Sequence, residues 1–185
     1  MGSVGSDSGS ALILIAGLPG VGKSTLAEEV GRQTQIPVFA LDWLLGAAVQ
    51  SRACHQDADF GELGRRLMLM LAHRQFLLGQ SVILDAPAHE PIWREPFVDL
   101  AAADQVRLRI IEVQCPDERA HRARVTGRSR GIPGWHEFNW SHVERMKLQW
   151  QPWPPDTDRL VIDSTRSLDD AVVRAIDYIN DTPIS

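Results

Sequence analysis

Short apolar runs alternate along the chain with longer segments in which apolar residues recur every three or four positions. The first run, residues 11–16, is continuous, which is typical of a strand buried on both faces of a sheet. Further runs predict strands at 37–41, 81–85, 106–114 and 158–163. Periodicity and capping signals predict helices at 22–32, 57–78, 90–103 and 167–179. A further helix is predicted to begin with Pro116 in its first turn. Such alternation implies parallel strands joined by crossovers, and therefore a three-layer α/β fold with a parallel five-stranded sheet.

One domain accounts for this pattern. We expect residues 1–10, which are rich in Gly and Ser, to be a disordered lead-in, and residues 11–185 to form a single domain. The composition changes only at 127–155, which is rich in Gly, Pro, Arg and Trp.

Composition narrows the classes of function. The formal net charge of −5 argues against a broad basic face for nucleic acid. The apolar runs are shorter than the roughly 18 residues that a membrane span needs, so no membrane partner is expected. Cys54 and Cys115 are far apart and lack metal-ligand spacing, which favours free thiols in a reducing, cytoplasmic setting. Composition leaves open a monomer or a homodimer.

The strongest motif lies between the first strand and the first helix. Residues 17–24 match G-x-x-x-x-G-K-[ST], the phosphate loop of nucleotide-binding proteins, in the strand-to-helix context that the motif requires. The glycines let backbone N–H groups turn toward a phosphate, while the lysine reaches phosphate oxygens and the serine hydroxyl ligates Mg²⁺. The motif predicts an ATP and Mg²⁺ site made by Gly17, Leu18, Pro19, Gly20, Val21, Gly22, Lys23, Ser24 and Thr25.

Two aspartates follow predicted strands. Asp85 ends the third strand, where a buried carboxylate needs a partner; that partner is Mg²⁺ in one interpretation, and a helix terminus or an arginine in the other. Asp42 ends the second strand and faces the same crevice, because ligands bind outside the carboxyl ends of parallel strands. It could accept the proton of an acceptor hydroxyl, or cap a helix beginning at Trp43. Spacing alone leaves both interpretations open.

A cluster of arginines follows the fourth strand, in the sequence ERAHRARVTGRSRG. Arginine suits polyphosphate, and the glycines around it favour a mobile lid over about 119–135. The cluster comprises Arg119, Arg122, Arg124, Arg128 and Arg130, and at least two of the five fit a solvated basic face. Arg124 and Arg128 are spaced i, i+4, so they share a helical face and are the candidates for nucleotide contact.

On these residues the chain resembles the small P-loop kinases, a group that includes shikimate, gluconate and adenylate kinases, chloramphenicol phosphotransferase, zeta toxins and polynucleotide kinase. More narrowly, it is similar to the bacterial AAA domain proteins of this group. The resemblance covers about residues 11–180, and only the loop at 17–25 is strict. It implies the strand order 2-3-1-4-5.

The resemblance also implies how the nucleotide is bound. Adenylate kinases have an R-x-x-G-R lid motif, which residues 124–128 match. By that likeness Arg124 would lie against adenine and Arg128 near the phosphates. The loop after the last strand, Ser164 and Thr165, would also bind adenine.

The predicted function is ATP- and Mg²⁺-dependent transfer of the γ-phosphate to a hydroxyl of an unknown small molecule. Members of the group often carry an activating aspartate after the second strand, which implies that Asp42 is the base. Lys23 and Arg128 would stabilise charge, and Ser24 and Asp85 would hold the metal.

Two other functions stay open. The first is a kinase for nucleosides or polynucleotide ends, and the second is an ATP-binding or ATP-hydrolysing switch that is not a kinase. After the third strand the chain reads Asp-Ala-Pro-Ala instead of the Asp-Gly-Phe-Pro of adenylate kinases, which argues against a nucleoside monophosphate as acceptor.

Overall fold

The computed structural model of the protein describes residues 9–51, 60–127 and 129–181. Five strands form one parallel sheet: β1 Ala11–Ala16, β2 Val38–Ala40, β3 Val82–Asp85, β4 Arg107–Gln114 and β5 Leu160–Asp163. Their order across the sheet is β2-β3-β1-β4-β5, which confirms the predicted fold and strand order.

Seven helices lie within the described ranges: α1 Lys23–Thr34, α2 Leu41–Gln50, α3 Phe60–Phe76, α4 Pro91–Ala103, α5 Glu118–Thr126, α6 Trp140–Gln149 and α7 Leu168–Asn180. The predicted start of the third helix, at residue 57, lies outside the described residues. In the part of the chain that the structure describes, none of these helices is both long and apolar enough to cross a membrane.

Two helices begin elsewhere than predicted. Helix α2 begins at Leu41 instead of Trp43, directly after the last residue of β2. Helix α5 begins at Glu118, so the prediction that Pro116 lies in its first turn is wrong. The cap is Asp117, whose carboxylate accepts two backbone N–H groups of the first turn at 2.9 and 3.1 Å.

Helix α6 was not predicted, because the glycine- and proline-rich composition of 127–155 obscured it. Its start is set by Asn139, whose side-chain oxygen accepts the backbone N–H of His142 at 3.0 Å. Trp140, Val143 and Met146 recur every third position and are the buried face of the helix. This short periodic signal was present in the sequence.

Apolar side chains cover both faces of the sheet. Alternate residues of β1 point to opposite faces, so Ile13 and Ile15 pack on one side while Leu12 and Leu14 pack on the other. The first cluster includes the buried faces of α1 and α7, and the second includes those of α3 and α4. Helices therefore cover both sides of β1, as expected for three layers.

The parallel arrangement brings the carboxyl ends of all strands to one edge. The loop after β1, the first turn of α2 after β2, and the ends of β3 and β5 lie at this edge. Polar residues that are distant in sequence can therefore meet there.

We expect the two leucines Leu84 and Leu148 to differ sharply when each is changed to alanine. Leu84 is fully buried, so Leu84→Ala should lower the free energy of unfolding by about 2–5 kcal/mol. Leu148 is 89% exposed, so the matched Leu148→Ala variant should change it by no more than about 0.5 kcal/mol. Urea denaturation measures both, and equal losses would contradict the described core.

Candidate active site

The loop at 17–24 can adopt its path only with glycine at certain positions. Gly17 and Gly20 have positive φ angles of 146° and 82°. A Cβ atom on Gly17 would lie 2.4 Å from the carbonyl oxygen of Val113, and one on Gly20 would lie 2.3 Å from Cγ2 of Val125. The motif glycines therefore let the loop pack directly against β4 and α5.

Lys23 is the first residue of α1 and is 8% exposed. Its ammonium group donates a hydrogen bond to the carbonyl oxygen of Leu18 at 3.0 Å, so the side chain folds back across the loop. The first N–H groups of a helix have no partner within the helix and carry its positive dipole end. Lys23 and the start of α1 together form a site suited to an anion such as phosphate.

Ser24 and Asp85 place two oxygen donors side by side. The Ser24 hydroxyl donates to Oδ2 of Asp85 at 2.6 Å, and Asp85 is 6% exposed. Burial raises the pKa of the Asp85 carboxyl above its ordinary value, and the charge of Lys23 and the Ser24 hydrogen bond act in the opposite direction. A hydroxyl and a carboxylate are oxygen ligands of the kind that Mg²⁺ prefers, so this pair fits the predicted metal site.

Asp42 lies in the first turn of α2, and the residue that caps this helix is Ala40. The interpretation of Asp42 as a helix cap is therefore wrong. Its carboxylate instead forms an ion pair with the guanidinium of Arg130. Lys23, Asp42 and Arg130 line one cavity of about 520 Å³, and Asp85 lies in its wall beside Ser24.

Arg130 is the lid arginine that the described structure brings to this cavity. Its Nε donates to Oε2 of Glu137 at 3.2 Å, its backbone N–H donates to Oε1 of the same residue at 2.7 Å, and its terminal nitrogen donates to the carbonyl oxygen of His136 at 3.3 Å. The predicted Arg128 lies outside the described residues. The prediction that Arg124 and Arg128 share a helical face requires a helix that includes both positions. Because α5 ends at Thr126, the structure does not provide that helix.

Arg124 joins the phosphate loop to the segment after β5. Its guanidinium donates to the hydroxyl and to the carbonyl oxygen of Ser164, both at 2.8 Å, and to the carbonyl oxygen of Val21 at 3.4 Å. Arg124, Ser164 and Gly22 line a second cavity of about 490 Å³ beside the loop. Thr165 instead bonds Asp163 through its hydroxyl at 2.7 Å and its backbone N–H at 2.9 Å, which lowers the pKa of that carboxyl.

His121 holds the phosphate loop through a hydrogen bond, and no sequence motif indicated this role. The residue is 2% exposed, and its Nε2 donates to the carbonyl oxygen of Pro19 at 2.8 Å. This hydrogen bond requires the proton to be on Nε2, since a carbonyl only accepts. Burial lowers the pKa of the imidazole, so His121 is neutral at neutral pH.

Two glycines allow a close contact between α2 and the segment at 132–135, both of which contribute residues to the larger cavity. A Cβ atom on Gly46 of α2 would lie 2.5 Å from the carbonyl oxygen of Pro133, and one on Gly134 would lie 2.4 Å from the carbonyl oxygen of Gly46. Helix α2 and the segment at 132–135 therefore touch backbone to backbone. No sequence pattern predicts that these two glycines lie together.

Arg94 fixes the other side of this cavity. The side chain is 4% exposed and donates to four carbonyl oxygens: those of Ala88 at 2.8 Å, His89 and Pro152 at 3.2 Å, and Gln151. These bonds join the loop before α4 to the segment after α6. They position His89, which lines the cavity.

The fold and the loop together define a small P-loop kinase-like protein. The chain belongs to the AAA domain family, whose sequence model matches residues 12–152. No curated protein matches the chain significantly in sequence.

Solved structures with this fold cover nearly all of the chain. A sugar kinase from a Janibacter species has a TM-score of 0.70 at 18% identity, covering 94% of this chain and 96% of its own. Kti12 from Chaetomium thermophilum, in complex with ADP-AlF3, has a TM-score of 0.66 at 19% identity, covering 92% and 100%. The Mycobacterium tuberculosis APS kinase CysC, in complex with AMPPNP and APS, has a TM-score of 0.62 at 20% identity, covering 94% and 99%. At these identities the likeness establishes the shared fold.

The lowered pKa of His121 predicts a pH-dependent stability. An imidazole whose folded pKa lies below its unfolded value of about 6.5 stabilises the fold above that pH, and the contribution is lost as the pH falls toward the folded pKa. In His121→Gln the side-chain amide can still donate to Pro19 but does not titrate. Between about pH 7.5 and 5.5, wild type should therefore lose more unfolding free energy than the variant. Parallel losses in urea titrations would contradict the neutral, buried state of His121.

Proposed function

We propose that this protein transfers the γ-phosphoryl group of ATP, with Mg²⁺, to a hydroxyl group of a small molecule. The observation that carries the proposal is the single cavity lined by Lys23, Ser24, Asp42, Asp85 and Arg130. The cavity combines a phosphate-binding loop with the carboxylate of Asp42, and phosphate binding alone does not require such a carboxylate. Its volume of about 520 Å³ falls within the range of about 300–1,000 Å³ that is typical of small-molecule sites.

Each residue has a defined part in the proposed reaction. The loop and Lys23 hold the phosphates, while Ser24 and Asp85 would hold Mg²⁺, which supplies positive charge to the phosphate oxygens when bound. Asp42 takes the proton of the acceptor hydroxyl while the hydroxyl oxygen forms a bond to the γ-phosphorus. At the same time the bond between the γ-phosphorus and the bridging oxygen breaks, and ADP leaves with that oxygen. Positioning and electrostatics supply most of the rate.

Arginine at the lid provides further positive charge in this proposal. Arg130 already lies in the cavity wall, so it joins Arg128 as a candidate for stabilising the transferred group. Because Arg130 pairs with Asp42, the base and this charge stabiliser are held together before substrates bind.

The second cavity fits the base of the nucleotide. It adjoins Gly22 and Thr25 of the loop, with Arg124 and Ser164 on one side and apolar residues such as Leu26 and Ile162 on the other. A flat guanidinium and an apolar wall suit a purine. We propose adenine, with Arg124 and Ser164 as its neighbours and Thr165 acting through Asp163.

The relatives with this fold support the proposal in general terms. The sugar kinase is named for a small hydroxyl-bearing acceptor, and the APS kinase was solved with a nucleotide and a small molecule. Kti12 was solved in complex with ADP-AlF3, which supports nucleotide binding and does not distinguish a kinase from a nucleotide-dependent switch. A switch needs neither Asp42 in the cavity nor room beyond the phosphates, so we favour the kinase. The free thiol of Cys115 accords with the cytoplasmic location that we propose.

Asp42→Asn tests the catalytic step. The amide cannot accept the proton, so phosphoryl transfer should fall at least about 100-fold while ATP binding stays within about twofold of wild type. Asp99→Asn, an exposed position on α4, is the matched control and should leave both unchanged. Coupled ADP-release assays and calorimetric ATP titrations give the two quantities. Acceptor-dependent turnover that survives in Asp42→Asn would remove Asp42 from the mechanism.

A further inference from the structure

The part of the larger cavity remote from the phosphate loop is uncharged. The residues that line it there come from α3, α6 and the segment at 132–138, with His89 of the loop before α4, and among the described lining residues of this part none is a Lys, Arg, Asp or Glu. Aromatic, imidazole, thioether and amide side chains take their place: Phe60, Trp135, Phe138, His142, Met146 and Gln149.

The nearest cation to this wall, Arg130, is already compensated. Its guanidinium pairs with the carboxylates of Asp42 and Glu137, so one positive charge faces two negative ones. The other cation in the cavity wall is Lys23, which belongs to the phosphate loop. An anionic acceptor would therefore meet carboxylates beside Arg130, and burying its charge there would be costly.

Two histidines that line the cavity, His89 and His142, do not supply a compensating charge. Burial lowers the pKa of His89, which the neighbouring Arg94 lowers further and Glu90 opposes. Burial also lowers the pKa of His142, with Arg145 acting in the same direction. Both imidazoles are therefore neutral at neutral pH and act as hydrogen-bonding groups.

The wall also presents ring faces. The ring of Phe138 stacks on His142 with centroids 4.3 Å apart and an interplanar angle of 14°. Trp135 and His136 extend the cluster, with centroids 4.7 Å apart, and His136 meets Phe138 edge-on at 5.0 Å. Such a cluster favours a flat ring as ligand, because aromatic faces and edges attract one another.

Two wall residues keep polar atoms without a partner among the described residues. These are Nδ1 of His89 and the indole Nε1 of Trp135, both buried. The indole group is a donor only, and a neutral imidazole nitrogen is a donor or an acceptor according to its tautomer. Both atoms are buried, so a ligand in the cavity meets the uncharged rings of these two residues and not these atoms.

We infer that the acceptor is an electrically neutral hydroxyl compound with a flat ring, which lies against Trp135 and Phe138 and directs a hydroxyl toward Asp42. The inference rests on the proposed kinase function and specifies its substrate class. It distinguishes this site from one built for sugar acids or nucleotides.

Four probes separate charge from ring. 3-Phenyl-1,2-propanediol and 3-phenyllactate share a phenyl ring and a secondary hydroxyl but differ by a carboxylate; glucitol and gluconate differ in the same way and lack the ring. Tryptophan fluorescence reports binding in the presence of Mg²⁺ and ADP, since Trp43 and Trp135 line the cavity. The diol should bind at least about tenfold more tightly than each of the other three, which is about 1.4 kcal/mol.

Glu137→Gln tests the charge argument within the protein. The substitution removes one of the two carboxylates beside Arg130, so the preference for the diol over phenyllactate should shrink about tenfold. Glu118→Gln is the matched control, because Glu118 forms an exposed pair with Lys147 away from the cavity. Circular dichroism checks that both variants are folded.

The outcomes separate the inference from the function it rests on. Phenyllactate or gluconate binding as tightly as the diol, or no binding by the diol, would overturn the neutral-ring inference even if some other compound is phosphorylated. Binding in the expected order, with no transfer from labelled ATP to any neutral ring alcohol in a wider panel, would overturn the kinase proposal and leave the cavity as a ligand site. Binding in that order with transfer to the diol supports both.

Discussion

The structure of the site depends on an electrostatic interaction between Lys23 and Asp85 at the carboxyl edge of the sheet. Both side chains are almost fully buried, which disfavours each charge by itself. Ser24 ties the carboxylate to the start of α1, so the loop after β1 and the end of β3 are held together. The raised pKa of Asp85 indicates that burial is not fully offset. A bound cation would offset it further, which supports the proposal that Ser24 and Asp85 hold Mg²⁺ beside the loop.

The acceptor side is built by contacts that cross the same edge. Asp42 comes from the first turn of α2, and Arg130 comes from the segment after α5. Their ion pair lies in the wall of the cavity, and the backbone of Gly46 contacts the segment at 132–135. The Asp42 carboxylate, the phosphate loop and an aromatic wall are thereby placed around one volume. Arg130 also pairs with Glu137. The charge near this cavity therefore depends on Asp42, Arg130 and Glu137, of which Asp42 is distant in the sequence from the other two.

The sequence sufficed for the sheet and the loop because those signals are local. A continuous apolar run before a glycine loop defines β1, the loop and α1 within a few residues. It did not suffice for Arg130, His121 or α6. Arg130 was one of five similar arginines, and only the end of α5 at Thr126 decides which of them can turn toward the cavity. His121 acts through a single long-range hydrogen bond to Pro19, which no spacing rule encodes.

Calorimetric titration of the full chain with Mg²⁺ and ATP, beside the variant Lys23→Ala, tests the account most directly. We expect one binding site in wild type and an affinity at least about tenfold lower in the variant, since the ammonium supplies a charge-assisted hydrogen bond to phosphate. Circular dichroism would show whether the variant keeps its fold. No binding by wild type, or equal affinity in the folded variant, would contradict the account.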